Sequence, residues 1–117
     1  MRSFLLALTC ALLAACGAPD TGPKMGSAAT RFEAPDLDGK LHSFPEDFAG
    51  KPVVLDFWAD WCRSCANSMT PIDRLQREHA ASGLVVLAVN VAQDRATAAA
   101  FVAELGVGYP ALLDPDS

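Results

Sequence analysis

The pattern of apolar and polar positions in residues 32–117 predicts a strand–helix–strand–helix–strand order. Residues 53–58 are β-branched and aromatic with a single charge, which is typical of a central parallel strand buried on both faces. Residues 84–91 predict a second buried strand, and residues 109–113 predict a short third one. Because strands that alternate with helices pair in parallel, this order predicts the α/β fold class.

Two segments between these strands carry helix signals. In the first, side chains recur at three- and four-residue spacing, at Cys65, Met69, Ile72, Leu75 and His79. This spacing predicts an amphipathic helix that ends near Gly83 and that Pro71 kinks. In the second segment, Asp94 can cap a helix that Gly106 stops.

A small hairpin is predicted ahead of the first parallel strand. The turn signal Asp38-Gly39 lies between short segments whose apolar positions are Phe32, Leu37, Leu41 and Phe44. The chain then passes through Gly50 and Pro52 into the strand at residues 53–58.

Composition and charge limit what the chain can bind. With 117 residues, 51% of them hydrophobic, it has room for one globular domain. Nine Lys and Arg against fourteen Asp and Glu give a net charge of −5. This balance argues against nucleic acid as a partner, because proteins that bind phosphate backbones concentrate positive charge. The histidines are His42 and His79, which excludes a three-histidine metal centre but not a mixed ligand set.

The N-terminal residues predict an export signal. Arg2 precedes the apolar residues 4–15, which as a helix would rise about 18 Å, against roughly 30 Å of hydrocarbon in a bilayer. Such a run is too short to span a membrane and is typical of a signal peptide. Residues 13–16 resemble the lipobox of bacterial lipoproteins, whose cysteine is lipidated and becomes the new N-terminus. The alternatives are an ordinary signal peptide with an incidental cysteine, or a buried N-terminal helix.

The lipobox resemblance divides the chain into three parts. It implies that residues 1–15 are a removed signal peptide and that Cys16 carries the lipid. Residues 16–31 are rich in Gly, Ala, Pro, Ser and Thr and predict a flexible tether, and residues 32–117 form the folded domain. The expected location is extracytoplasmic, anchored to a bacterial membrane. Gly17, in place of an aspartate, points to the outer membrane.

The pair Cys62 and Cys65 is placed where a strand ends and a helix begins. At the helix start, unpaired N–H groups and the helix dipole favour a thiolate on Cys62. Two intervening residues put the Cys65 sulfur one turn away, close enough to form a disulfide. This arrangement predicts that Cys62 attacks a substrate disulfide and that Cys65 resolves the mixed disulfide by exchange.

Three other interpretations of the cysteine pair stay open. A zinc site needs two more ligands, and no second pair remains once Cys10 and Cys16 are set aside. A purely structural disulfide would close so small a loop that it would contribute little entropy. Two inert buried thiols are the third alternative. The placement at a helix start favours redox chemistry over all three.

Residues 57–65 resemble the active site of the thioredoxin superfamily, and residues 32–50 resemble its membrane-tethered TlpA/ResA branch. The resemblance implies a thioredoxin-like fold with a central mixed sheet flanked by helices. It also implies an extracytoplasmic thiol-disulfide oxidoreductase that reduces protein disulfides, such as those of apocytochromes. A membrane protein would supply the electrons, and neither a cofactor nor a metal is expected.

The same resemblance assigns roles to individual residues. Cys62 corresponds to the nucleophile and Cys65 to the resolving cysteine, and the two form the redox-active disulfide. Trp58 and Trp61 correspond to residues that shape the substrate-binding surface. Asp56 matches the buried aspartate of thioredoxin.

Asp56 is also singled out by its place in the strand. Alternation puts it on one face with Val54 and Trp58, where burial would raise its pKa. A proton acceptor beneath Cys65 is what the resolving step needs. The alternative is a hydrogen-bonded structural aspartate.

Several positions depart from the family pattern. The residues between the cysteines are Arg63 and Ser64, without the common proline, and Ser68 stands where many relatives carry a glutamate. Pro110 could be the family's cis-proline, but residues 100–116 better resemble the helix and strand inserted before it. This favoured alignment implies that the sequence as given stops before the cis-proline, the closing hairpin and the last helix.

Two other function classes remain open from the sequence. One is a non-catalytic thioredoxin-like lipoprotein that binds a partner or a metal through its thiols. The other is a peroxiredoxin-like thiol peroxidase, which is disfavoured because that chemistry relies on one peroxidatic cysteine in an arginine-bearing pocket.

Overall fold

The computed structural model describes residue 22 and residues 24–117. The predicted signal peptide at residues 1–15 and the predicted lipidation of Cys16 lie outside the described residues. The strands are β1 (Phe32–Pro35), β2 (Leu41–Phe44), β3 (Val53–Trp58), β4 (Val85–Val91) and β5 (Ala111–Asp114). The helices are α1 (Arg63–His79) and α2 (Arg95–Leu105), with short 3-10 turns at Glu46–Phe48 and Ala80–Ser82. This order confirms the predicted α/β class.

Strands β3, β4 and β5 form a parallel sheet in that spatial order. Asp56 of β3 pairs with Ala88 of β4, which in turn pairs with Ala111 of β5. The prediction of a central strand at residues 53–58 needs correction, because β4 lies in the middle of the described sheet. The outer edge of β3 pairs with no described strand, and Phe57 is 59% exposed.

The predicted hairpin is confirmed as the antiparallel pair β1–β2. Its turn is organised by Asp36, whose Oδ1 accepts hydrogen bonds from the backbone N–H groups of Asp38 and Lys40, both at 2.9 Å. Gly39 has a φ of 87°, a left-handed conformation that glycine adopts without steric cost. Nε2 of His42 lies 2.8 Å from Asp36 Oδ2, and this contact lowers the Asp36 pKa.

The sheet is covered by the helices on one face and by the hairpin on the other. The helix-side core contains Trp58, Met69, Val86, Ala88, Ala98, Val107, Tyr109, Ala111 and Leu113. The hairpin-side core contains Ala34, Phe44, Leu87, Val89 and Leu112. Val54 packs against the first core, whereas Val53 and Leu55 pack against the second, which confirms the alternation predicted for β3.

Helix α2 begins and ends where its capping signals predicted, whereas α1 ends at His79, ahead of the predicted end near Gly83. Asp94 Oδ1 accepts a hydrogen bond of 2.8 Å from Thr97 N–H at the start of α2, and this bond lowers the Asp94 pKa. Gly106, in the left-handed region with a φ of 66°, ends α2. Gly83 likewise follows the 3-10 turn after α1. Pro71 lies within α1, and the kink expected there stays a prediction.

Residue 22 and residues 24–31, the described part of the predicted tether, are exposed throughout and contain neither helix nor strand. Of the helices in the described residues, none combines the length and the apolar character needed to cross a membrane.

Candidate redox site

The tight turn between β3 and α1 places Cys62 at the start of the helix. The Cys62 N–H donates to the carbonyl of Ala59 at 3.1 Å and so closes the turn. Cys62 is the N-cap residue of α1, and its Sγ accepts from the backbone N–H of Cys65 at 3.3 Å. The first turn of α1 contains no acidic residue. Because Cys62 is the N-cap residue, its sulfur lies at the positive end of the helix dipole, which favours negative charge there, and no acidic side chain in the first turn opposes this effect.

Cys62 and Cys65 are joined by a disulfide, with their Cα atoms 5.3 Å apart. Their surroundings differ. Cys62 Sγ lies 3.4 Å from the hydroxyl of the exposed Ser64, whereas Cys65 packs against the helix-side core. The Cys65 sulfur is 3.9 Å from the carbonyl oxygen of Phe57. Both cysteines are half-buried, and they differ in their neighbours: the N-cap position of Cys62 suits the attacking sulfur, and the contact of Cys65 with the core suits the resolving one.

Asp56 lies on the helix-side face of β3 with a carboxyl oxygen, Oδ2, that is buried and has no hydrogen-bond partner among the described residues. Its cross-strand neighbour Ala88 has no polar side chain. Burial raises the pKa of Asp56, as the sequence predicted. A buried carboxyl group with a raised pKa is better suited to accept and return a proton than an exposed carboxylate is.

Tyr109 is a further polar group in this interior, which the sequence analysis did not single out. It is 4% exposed, and its hydroxyl donates to the carbonyl of Met69 in α1 at 3.4 Å. Burial raises the Tyr109 pKa, and the negative charges of Asp56 and Asp73 raise it further. Tyr109 and Ala111 both belong to the helix-side core. Because side chains alternate along a strand, the predicted strand at residues 109–113 could have indicated that Tyr109 is buried on the same face as Ala111.

The two tryptophans occupy different environments, and the substrate-binding role expected for both stays a prediction. Trp61 is 73% exposed next to Cys62, in keeping with the predicted role at the substrate-binding surface. Trp58 is only 1% exposed and stacks on Phe101 of α2, with ring centroids 5.4 Å apart. As the last residue of β3, Trp58 has its ring in the core, not at the surface beside Cys62.

A polar network that the sequence analysis missed lies beside the turn that leads to Cys62. The fully buried Asn90 donates through Nδ2 to Gln93 Oε1 at 2.8 Å and to the Trp58 carbonyl at 3.5 Å. Gln93 Nε2 donates to Asp60 Oδ1 at 2.5 Å, and Gln93 Oε1 accepts from Asp60 N–H at 3.0 Å. Asp60 and Gln93 are 33 residues apart in sequence, so local patterns gave no signal for their contact.

Two departures from the family pattern can be placed in the structure. Ser68, in the position where a glutamate was noted as common, donates through its hydroxyl to the Cys65 carbonyl at 3.0 Å. Pro110 precedes β5, which β4 separates from β3, and the Tyr109–Pro110 peptide bond is trans. The alignment that places residues 100–116 ahead of the family's cis-proline stays a prediction.

Within residue 22 and residues 24–117, no group of three or more His, Cys, Asp and Glu side chains is arranged to hold a metal ion.

Comparisons with known proteins point to one family. The AhpC/TSA family matches residues 25–117. Thiol-disulfide oxidoreductase ResA of Geobacillus thermodenitrificans is 33% identical over 97% of this chain and 68% of that protein. ResA of Bacillus subtilis is 32% identical over 78% of this chain and 50% of that protein. The chain thus spans between half and about two thirds of the length of these curated relatives.

Solved structures give the same result. The dsbF protein of MTB, determined in mixed oxidised and reduced forms, is 31% identical with a TM-score of 0.63, covering 73% of this chain and 62% of that one. The thioredoxin domain of a thiol-disulfide oxidoreductase from Bacteroides vulgatus is 23% identical, with a TM-score of 0.74 over 81% of this chain and 68% of that one. The second likeness shows the fold alone, which is thioredoxin-like.

Proposed function

Since the chain belongs to the AhpC/TSA family and to the ResA-like proteins within it, we propose that it is a thiol-disulfide oxidoreductase that reduces disulfides of extracytoplasmic proteins. The observation that carries the proposal is the Cys62–Cys65 disulfide at the start of α1, with one sulfur next to the exposed Ser64 and the other against the helix-side core. The names of the ResA relatives support the same reaction class.

In the proposed reaction, electrons pass from the two reduced cysteines to a substrate disulfide. The Cys62 thiolate attacks one substrate sulfur, so that a mixed disulfide forms and the other substrate sulfur leaves as a thiolate. The Cys65 thiol gives its proton to Asp56, and the Cys65 thiolate attacks Cys62 Sγ. This step forms the Cys62–Cys65 disulfide and releases the second substrate thiolate. Two electrons have then moved to the substrate, and a dithiol donor must return two to the enzyme.

The surroundings of the cysteines support these separate roles. The N-cap position of Cys62 stabilises a thiolate, which is the attacking species. Asp56 lies on the face of β3 that contributes to the same helix-side core as Cys65, and its unpartnered oxygen is free to take a proton. The exposed Trp61 offers an apolar surface beside Cys62 for a peptide substrate.

Anchoring and partners are part of the proposal. The lipobox-like residues 13–16 support lipidation of Cys16, and residues 16–31 would then hold the domain away from the membrane. An apocytochrome segment with two cysteines separated by two residues is the proposed substrate class, and a membrane-bound dithiol protein is the proposed electron donor.

A turnover assay on the full chain tests the activity. Dithiothreitol serves as donor, and an oxidised peptide with two cysteines separated by two residues serves as substrate. We expect the wild-type protein to accelerate reduction well beyond the rate with dithiothreitol alone, and Cys62→Ser to abolish the acceleration. Replacing the peptide by hydrogen peroxide tests the thiol peroxidase alternative. No acceleration with any disulfide would favour a non-catalytic binding protein.

A further inference from the structure

We propose that Gln93 is a positioning residue for Cys62, which it holds through a two-point contact with Asp60. The inference rests on the proposed function, because it concerns how the attacking sulfur is kept at the start of α1. It adds a residue outside the cysteine motif and the β3 strand to the working parts of the site.

The contact is specific in its geometry. The Gln93 side chain uses both ends of its amide on one residue: Nε2 donates to Asp60 Oδ1 at 2.5 Å, and Oε1 accepts from Asp60 N–H at 3.0 Å. The carboxylate and the backbone of Asp60 are thereby fixed together. Asp60 lies within the turn that the Cys62 N–H closes onto Ala59, so fixing it also fixes the approach to the sulfur.

Asn90 supports the contact from below. It is fully buried, it pairs with Trp58 across β3 and β4, and its Nδ2 donates to the same Gln93 Oε1 at 2.8 Å. A buried amide that donates to the Gln93 oxygen fixes which end of the Gln93 amide faces Asp60 N–H. Gln93 is therefore held from two sides, by the end of β4 and by the turn before Cys62.

The backbone before Gln93 adopts a conformation that such a role would explain. Ala92 has a φ of 56°, and it is the sole non-glycine residue with positive φ in the described part of the chain. The left-handed region is unfavourable for alanine and persists where surrounding contacts enforce it. Here the Ala92 N–H donates to the Asp114 carbonyl at 2.9 Å, and the chain then turns to present Gln93 to Asp60.

The contact also governs charge near the sulfur. Asp60 is an acidic residue two positions before Cys62, and a negative charge close to the Cys62 sulfur makes its thiolate form less favourable. The Gln93 amide binds the carboxylate oxygen in a fixed place at the β4 side of the turn. Without it, the carboxylate would be free to move within the turn that carries the sulfur, and we expect a less reactive Cys62.

Three variants of the full chain separate this role from general stability. Gln93→Ala removes the contacts without adding charge, and Gln93→Glu sets two carboxylates against each other. The double variant Asp60→Asn with Gln93→Glu exchanges amide and carboxylate, so that the side-chain hydrogen bond can form in the reverse direction. Gln76→Glu is the matched control, because Gln76 also bonds a backbone N–H, that of Val86, but lies near the far end of α1.

The measurement is the iodoacetamide alkylation rate of each cysteine in the reduced protein at pH 6.5. Trypsin cuts after Arg63 and so places Cys62 and Cys65 on separate peptides for mass spectrometry. We expect Gln93→Ala and Gln93→Glu to slow the alkylation of Cys62 by about fivefold to tenfold, because a smaller fraction of Cys62 would be thiolate. The double variant should regain most of the wild-type rate, and Gln76→Glu should match wild type.

The outcomes are distinguishable from failure of the proposed function, because alkylation needs no turnover. Unchanged Cys62 alkylation in both single variants would overturn the positioning role, as would a loss that the double variant fails to restore. If a single variant unfolds in a thermal melt, the Cys62 alkylation rate of the folded double variant is compared with that of Asp60→Asn alone. A faster rate in the double variant supports the positioning role, and an equal or slower rate overturns it. If the wild-type protein reduces no disulfide but the variants show these changes in alkylation rate, the proposed function is refuted and the inference stands.

Discussion

Asp56 lies directly opposite Ala88 in the parallel pairing of β3 with β4, so the carboxyl oxygen that β3 buries receives no hydrogen bond from the neighbouring strand. Burial without a partner is the cause of its raised pKa. The same feature suits a group that takes the Cys65 proton and later releases it. The proposed mechanism therefore depends on a residue that weakens the folded state when it is ionised.

The first prediction is a pH-dependent gain in stability from Asp56→Asn. The folded-state pKa of Asp56 is raised above its ordinary value of 3.8. The contribution of Asp56 to the free energy of unfolding is therefore fully present below pH 3.8 and is lost as the pH rises through the folded-state pKa. The variant should therefore be more stable than wild type at pH 7, and the difference should vanish near pH 3. Urea unfolding at both pH values measures it. A variant less stable than wild type at pH 7 would indicate a structural aspartate.

The second prediction contrasts the two tryptophans. Trp61→Ala should raise KM for a peptide disulfide and change the free energy of unfolding by no more than about 0.5 kcal/mol, because the side chain is exposed. Trp58→Ala should cost about 3–5 kcal/mol, because it empties a core position stacked on Phe101. Thermal melts and KM measurements on both variants check the contrast. If the two variants lose the same free energy of unfolding, the assignment of Trp58 to the core and Trp61 to the surface is contradicted.

The third prediction concerns the loop that carries Tyr109. The buried Asp73 accepts from Gly108 N–H and from Arg77 Nε, both at 2.8 Å. Asp73→Ala should cost about 1–3 kcal/mol, because it leaves the Gly108 N–H without its partner. Arg77→Ala is the control and should cost less than about 1 kcal/mol, since Arg77 is largely exposed. If chemical denaturation gives the two variants the same loss, the Asp73–Gly108 bond does not stabilise the loop.

The fourth prediction concerns the lipid anchor. In a bacterial host given labelled fatty acid, the wild-type protein should incorporate label and sediment with membranes, because residues 13–16 resemble a lipobox. Cys16→Ser should remove the label, whereas Cys10→Ser, a cysteine within the predicted signal peptide, should leave it. Unlabelled wild-type protein in the soluble fraction would refute the anchor.

The sequence predicted the elements well where local chemistry determines them. Asp94 and Gly106 bound α2 because a side-chain cap and a left-handed glycine act within a few residues of the helix ends. The alternation of Val54 and Leu55 between the two cores followed from the twofold repeat of a strand. The cysteine pair was placed at a helix start by the boundary between β3 and α1.

What the sequence could not predict depends on contacts between distant residues. Gln93 meets Asp60 only because β4 lies beside β3 and because Ala92 adopts a left-handed conformation. The two tryptophans look alike in sequence, but β3 ends between them, so that one is inside and the other outside. Strand order likewise depends on long-range pairing, and so β4 was not recognised as the middle strand.

Trapping a mixed disulfide is the most direct test of the central claim, that Cys62 attacks and Cys65 resolves. Reduced Cys65→Ser and Cys62→Ser proteins are each mixed with an oxidised peptide that has two cysteines separated by two residues, and the adducts are mapped by mass spectrometry. We predict a stable peptide adduct on Cys62 in the Cys65→Ser protein and little adduct in the Cys62→Ser protein. An adduct that accumulates equally on Cys65, or none on Cys62, would contradict the account.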